Sequence, residues 1–283
     1  MIKKTLSDKF PALRIPLRLL RASRYYNKRY LQILKWGFSS REGGNYTYDL
    51  TESNMTYLAH IVSIASGATF LEIQSYINEA RKDKLLETHI IKETRRSPQS
   101  SYADLRVSFG RRLGWYAFVR ALRPKVIIET GIDKGLGSVL LCSALLRNKS
   151  DGFEGRYYGT DINPDAGYLL SAPYSEVGEV LYGDSIESLK RFNRNIDLFI
   201  NDSDHSKGYE KEEYRTVQSK LSPGAYILGD NSHITDELAT FSSETGRLFL
   251  FFKEEPCNHW YPGAGIGISF REKCSLYGSE HKN

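Results

Sequence analysis

Three patterns of apolar and polar positions divide this chain. Past Pro16, Leu19, Ala22, Tyr26, Tyr30 and Ile33 recur on one helical face, while Arg18, Arg21, Arg24 and Lys28 recur on another. Pro16 suits a first helical turn, because its φ is already fixed near the helical value. Residues 52–97 keep the helical period in three segments. Leu58, Ile61 and Val62 mark the first, Phe70, Ile73, Tyr76 and Ile77 the second beyond a break at Gly67, and Leu85, Leu86 and Ile90 the third. Thr51-Glu52-Ser53-Asn54 offers side-chain oxygens to cap the first of these. From Arg111 the grammar changes. A helix over 111–122 ends at Arg123-Pro124, and short apolar runs then alternate with helical stretches. Strands are predicted at 126–129, 157–160, 180–182, 198–201, 226–228, 248–252 and 266–270, and helices at 137–147, 185–194, 209–221 and 235–245.

Alternating buried strands and helices predict an α/β fold with a doubly wound, mostly parallel seven-stranded sheet. The last two strands are joined through Gly263 and Gly265 with little room for a helix, which predicts an antiparallel last strand in a hairpin at the end of the sheet. The resulting organisation is a basic amphipathic arm over 1–36, a small helical N-terminal subdomain over 45–100, and an α/β domain over 111–275, with a polar linker at 39–45.

Composition narrows the class. No run of eighteen apolar residues is present, so no membrane-spanning helix is expected, and the N-terminus lacks the apolar core of a secretory signal. Cys142, Cys257 and Cys274 are scattered and odd in number, which argues against a disulfide framework or a zinc site and favours a reducing cytoplasm. The net charge of +5 hides an asymmetry: residues 1–36 hold ten Lys and Arg against one Asp, leaving the remainder at −4. Such an arm can lie on anionic lipid at the inner membrane face or meet a polyanion; a helix packed on its own domain or on a second subunit of a homo-oligomer is the alternative. The acidic body disfavours nucleic acid as partner.

Four stretches carry chemistry. In Val126-Ile-Ile-Glu-Thr-Gly-Ile-Asp-Lys-Gly-Leu-Gly-Ser138 a strand runs through Glu129 into a glycine turn and a helix. The spacing differs from the pyrophosphate-binding G-x-G-x-x-G, and an acid at Glu129 repels phosphate while favouring a cationic ligand. Tyr157-Tyr-Gly-Thr-Asp161 ends the next strand in a carboxylate able to accept both hydroxyls of a ribose, or to cap a helix. Gly183-Asp-Ser185 follows the third strand, where Asp184 and Ser185 can meet an adenine edge or cap a helix. The fourth signal has two parts. Asp197-Leu-Phe-Ile-Asn-Asp-Ser-Asp-His205 and Ala225-Tyr-Ile-Leu-Gly-Asp-Asn-Ser-His233 end adjacent strands in polar clusters. Asp202, Asp230 and Asn231 present oxygens suited to Mg²⁺ or another divalent cation, and Asp204, His205 and His233 are candidate catalytic bases.

These stretches together resemble the class I S-adenosylmethionine-dependent methyltransferases, and within them the metal-dependent O-methyltransferase and sugar O-methyltransferase branch. The resemblance covers about 111–270 and implies a Rossmann-like fold. It implies that the turn Glu129, Thr130, Gly131, Gly135 and Ser138 binds S-adenosyl-L-methionine. Asp161 would hold its ribose and Asp184 with Ser185 its adenine side, with Asp202 also near the donor. Asp202-x-Asp204-His205 is similar to the family's D-G-D-H motif, with Ser203 in place of glycine, and Asp230-Asn231 matches its paired acid and amide. The implied activity is O-methylation of a hydroxyl on a sugar, glycan or related small molecule, assisted by a divalent cation. His259, Trp260 and Tyr261 can stack on a sugar ring or form an ordinary aromatic corner. The alternatives are an NAD(P)-dependent oxidoreductase on a similar fold, opposed by the turn spacing, and a noncatalytic adaptor docking on membrane or polyanion through its basic arm.

Overall fold

The computed structural model describes Ala12 and residues 14–272. Cys274, the last three residues of the predicted α/β domain and residues 1–11 and 13 of the arm lie outside the described residues. A single seven-stranded sheet is built from β1 (Val126–Thr130), β2 (Arg156–Asp161), β3 (Gly178–Tyr182), β4 (Ile196–Asn201), β5 (Leu221–Asp230), β6 (Leu248–Lys253) and β7 (Gly265–Phe270). Its order is β3-β2-β1-β4-β5-β7-β6. β1 to β5 pair parallel, and β7 runs antiparallel to both β5 and β6. The hairpin expected at the end of the sheet is therefore present, but its second strand is inserted inside rather than added at the edge. Burial explains the placement. Every residue of β7 is buried, whereas β6 leaves Leu248 and Phe251 exposed and serves as the edge.

The helices are α1 (Arg14–Ser39), α2 (Glu52–Ser66), α3 (Phe70–Arg81), α4 (Lys84–Arg96), α5 (Arg112–Leu122), α6 (Leu136–Ser150), α7 (Ser185–Arg191), α8 (Lys207–Gln218) and α9 (Glu237–Glu244). Local chemistry sets their ends. The Thr51 hydroxyl caps α2, which stops at Gly67 in the left-handed conformation (φ 76°). Thr69 and Glu72 form a reciprocal capping box on α3, and Asp83 caps α4. One core lies between the sheet and α2, α3, α5 and α6, joining Leu58, Val62 and Ile73 to Trp115, Phe118 and Ile266. The 45–100 region thus shares its core with the α/β domain. The opposite face is covered by α7, α8 and α9 around Leu189, Tyr214 and Phe241.

β1 is buried along its whole length, as a strand covered on both faces must be. The chain winds outward from β1 to β3 on one side, then crosses to β4 and β5 on the other. That reversal leaves a crevice beyond the carboxyl ends of β1 and β4, the usual ligand position in such sheets. No helix among the described residues is long and apolar enough to cross a membrane.

Candidate active site at the carboxyl edge of the sheet

A cavity of about 710 Å³ opens at this crevice, and Glu129, Asp161, Asp202 and Asp230 all line it. Its size is in the range of small-molecule sites. Two glycines fix its floor. A Cβ on Gly131, where φ is +73°, would stand 2.2 Å from the Asp202 carbonyl oxygen, so the β1 turn passes directly beneath the β4 tip. A Cβ on Gly137 would stand 2.2 Å from Glu129 Oε1, so the start of α6 closes on that carboxylate.

Glu129 is fully buried and has no cationic side chain among its hydrogen-bond partners. It accepts from the Tyr157 hydroxyl and, at 3.3 Å, from Ser138 Oγ. Burial pushes its carboxyl up to about 8; the Tyr157 hydrogen bond lowers it, the Asp202 charge raises it and Arg112 lowers it. A bound cation beside it would reverse that shift. Ser138 does not line the cavity; it orients Glu129, and its Oγ lies 2.7 Å from the Tyr157 hydroxyl oxygen. Thr130 and Gly135 also lie outside the lining, Thr130 fully buried and Gly135 opening α6 at φ 88°.

Asp161 reaches the rim, but part of its work is structural. Its Oδ2 accepts the Ile132 and Asp133 amides at 3.1 and 3.0 Å, and Oδ1 accepts the Asn163 amide at 2.9 Å. A carboxylate has about four acceptor directions, which leaves one free for a hydroxyl. Asp184 lines the cavity and caps α7 through the Glu187 amide at 2.9 Å, with the Tyr209 hydroxyl donating to its Oδ2 at 2.8 Å. Ser185 is turned toward Glu213 and Tyr209.

On the other side of the crevice the acids are already paired. Arg111 donates from Nε and Nη2 to the two oxygens of Asp230, and from Nη1 to Glu254 Oε2 at 3.2 Å. Its backbone amide donates to Glu254 Oε1 at 2.7 Å. Burial pushes the Asp230 carboxyl up, but the Arg111 guanidinium outweighs it and holds it low. Asp202 is pushed up to about 7 by burial and by the Asp230 charge, with Arg112 3.6 Å away pulling it down. His205 bridges this half: Nδ1 lies 3.2 Å from Glu210 Oε1, Nε2 lies 3.6 Å from Asp202 Oδ1 and 3.1 Å from the Asn231 amide nitrogen. Burial lowers the imidazole, but Asp202 and Glu210 raise it further, to about 10.

Of the candidate bases, then, His205 lies in the cavity but holds its proton near neutral pH. Asp204 also lines the cavity but is exposed, and the Ser206 amide at 2.7 Å keeps its carboxyl low, which makes it a weak base. His233 is exposed and outside the lining. Of the candidate metal ligands, Asp202 and Asp230 each place one ligand atom within 4.8 Å of the other and of His205, a residue expected as a base, while Asn231 lies against His205. Arg111 already engages both Asp230 oxygens, so a divalent cation does not fit this arrangement as it stands. Tyr261 lines the cavity, whereas Trp260 packs at 5.0 Å from Tyr46 in an aromatic corner. Sequence reasoning missed Arg111, Arg112, Tyr48 and Glu254. The Arg111-Arg112 pair opening the domain was the visible signal, but nothing in the sequence tied it to an acid 119 residues away.

Residues 128–232 match a family model described as a methyltransferase domain, a stretch that holds all four strand-end acids. No curated protein matches the chain. Among solved structures, the chain is similar to an O-methyltransferase from Bacillus cereus in complex with SAH. Identity is 15%, with 71% of this chain and 100% of that one covered and a TM-score of 0.53. It is also similar to cofactor-bound Rv0187 from MTB (15% identity, 66% and 90% covered, TM-score 0.51). A third likeness is to the O-methyltransferase TomG from Streptomyces achromogenes in complex with SAM (16% identity, 68% and 91% covered, TM-score 0.50). At these identities the likeness is one of fold. The sheet order and the crevice acids coincide with the methyltransferase-domain match over residues 128–232. S-adenosylmethionine would fit here: the cavity of about 710 Å³ gives room, and buried Glu129, with no cationic hydrogen-bond partner of its own, would face the donor's positive charge.

Proposed function

We propose that this protein transfers a methyl group from S-adenosylmethionine to a hydroxyl oxygen of a sugar, glycan or related small molecule. The observation that carries the reading is the placement of Asp202 at the tip of β4, 3.6 Å from His205 and facing the same cavity as the buried Glu129. The donor, when bound, supplies a sulfonium-linked methyl group that passes to the acceptor oxygen as its C–S bond breaks.

Each residue has a task. Glu129 and the turn at Gly131 hold and orient the donor, and Asp161 and Asp184 lie at the rim where ribose and adenine sides belong. Alignment is the largest part of such catalysis. A sugar hydroxyl is a poor nucleophile until its proton leaves. Asp202, poised near neutral, takes that proton, and the protonated His205 beside it steadies the new charge distribution. Arg112, 3.6 Å from Asp202 and in the cavity lining, supplies positive charge near a developing alkoxide. Tyr46, Tyr48 and Tyr261 line the cavity and offer flat apolar surface to a sugar ring. Asp202→Asn is expected to lower turnover by roughly a thousandfold, with SAH affinity in calorimetry little changed. Undiminished turnover of polyhydroxylated acceptors by that variant sinks the assignment of Asp202 as base.

A divalent cation is the second reading, favoured by the approach of Asp202, His205 and Asp230. It requires Arg111 to release Asp230. Because the guanidinium already supplies the positive charge, turnover is expected to be insensitive to chelator. A strict dependence on added Mg²⁺ would reinstate the metal.

A further inference from the structure

We infer that α1 docks the protein on an anionic lipid surface and, resting on the methyltransferase reading, seats the acceptor wall of the cavity over that surface. At about 100° per residue, Leu19, Tyr26, Tyr30 and Leu34 fall on one side of α1, and Arg18, Arg21, Lys28 and Arg29 on the other. The helix holds seven Lys and Arg and no Asp or Glu. None of its residues is buried: Leu19 is 66% exposed, Tyr30 65% and Phe38 91%. A strongly two-sided helix of low overall hydrophobicity with a cationic polar face lies in the headgroup layer, its apolar face reaching the acyl chains.

The attachment of α1 fits this orientation. Trp36 falls on the cationic side, in line with Arg18 and Arg29, and packs edge-on against Tyr46 at 5.4 Å and Trp260 at 5.3 Å. The domain therefore holds α1 from its cationic side and leaves the apolar side turned away. Tyr46 in turn lies 5.3 Å from Tyr261, and both line the cavity. The helix is thus joined through one ring to the wall that meets the acceptor.

Two other occupants fit less well. A second copy of α1 would bring two sets of seven cations together with no acid on either helix to answer them. A nucleic acid would engage the cations but leave the apolar face in water.

The test is flotation of the full chain with phosphatidylcholine vesicles, with and without phosphatidylglycerol. Binding is expected only with the anionic lipid. Arg21→Gln/Lys28→Gln is expected to weaken it about thirtyfold, roughly a factor of five per charge. Leu19→Glu/Leu34→Glu is expected to abolish it. Neither pair lines the cavity, so SAH affinity should be unchanged in both, which separates this inference from the methyltransferase reading. Binding to duplex DNA that survives Leu19→Glu/Leu34→Glu, with no vesicle binding, overturns the inference in favour of a polyanion. A dimer that dissociates in that variant, without vesicle binding, overturns it in favour of a second copy.

Discussion

The two halves of the crevice treat buried acids in opposite ways. At the tip of β1, Glu129 is sealed from water among neutral hydroxyls, and its carboxyl is driven up to about 8. At the tip of β5, Asp230 is equally buried, yet Arg111 grips both its oxygens and holds it low. Burial is the same and the counter-charge differs. A desolvated acid without a cation is an unfinished ion pair, ready for a ligand that brings the charge. A desolvated acid with its arginine is a finished one, and serves as a fixed electrostatic feature. On the function proposed above, the donor half is built to be completed by binding and the acceptor half is complete beforehand.

The strongest way to break this contrast is Arg111→Met, which strands Asp230 and Glu254 in the core. Removing one partner of a buried pair costs about 3–5 kcal/mol, and a drop of that order is expected in the unfolding free energy measured by denaturant titration. Adding Asp230→Asn and Glu254→Gln should recover much of it. No loss in the single variant would mean that the pair is not a closed unit. A smaller effect is expected from Gly137→Ala, whose Cβ collides with Glu129 Oε1. Displacing one charge-assisted contact corresponds to about ten- to a hundredfold in SAH affinity, read by calorimetry, with the acceptor-half geometry left intact.

The mildest probe is pH. Near neutral, donor-free Glu129 is largely protonated, and a sulfonium ligand favours its charged form. Donor affinity should therefore rise with pH toward about 8, by at most about tenfold per unit, with proton release on binding, and Glu129→Gln should flatten the profile. The same shift has the opposite sign for stability. Because the folded-state pKa is raised above the ordinary 4.5, the native state holds the extra proton between about 4.5 and 8. The stability of donor-free wild type relative to Glu129→Gln should then fall as pH rises through that window. A flat difference in thermal melting would show that the site is wetter than its geometry.

What the sequence revealed follows the same division. Strand positions were legible because buried parallel strands read as apolar runs, and all seven appear within a few residues of expectation. The breaks at Gly67 and Pro124 were legible because backbone chemistry is local. The convergence of Glu129, Asp161, Asp202 and Asp230 was legible because strand tips share an edge. The insertion of β7 between β5 and β6 was not, since adjacency in a sheet depends on packing across distant segments. Nor was the engagement of Asp230 by Arg111, nor the exposure of Asp204 and His233. An Asp-x-Asp-His string does not say which side chain is shielded and which stays in water; here all three acid and imidazole groups line the cavity, Asp202 and His205 half-buried and Asp204 exposed.

The wall over 45–48 has a consequence for engineering. Tyr48 is tied to Glu254 at 2.7 Å, and Leu50 bridges to Pro256, so a stretch preceding the sheet by some eighty residues is buttoned to the β6–β7 connection. One wall of the cavity is thereby lodged in segments outside the 128–232 stretch that matches the domain model. A graft of the sheet alone onto another scaffold would carry the donor pocket and leave its open flank to be rewritten. Exchanging 45–50 together with 254–264 is the natural unit for reshaping that flank of the cavity.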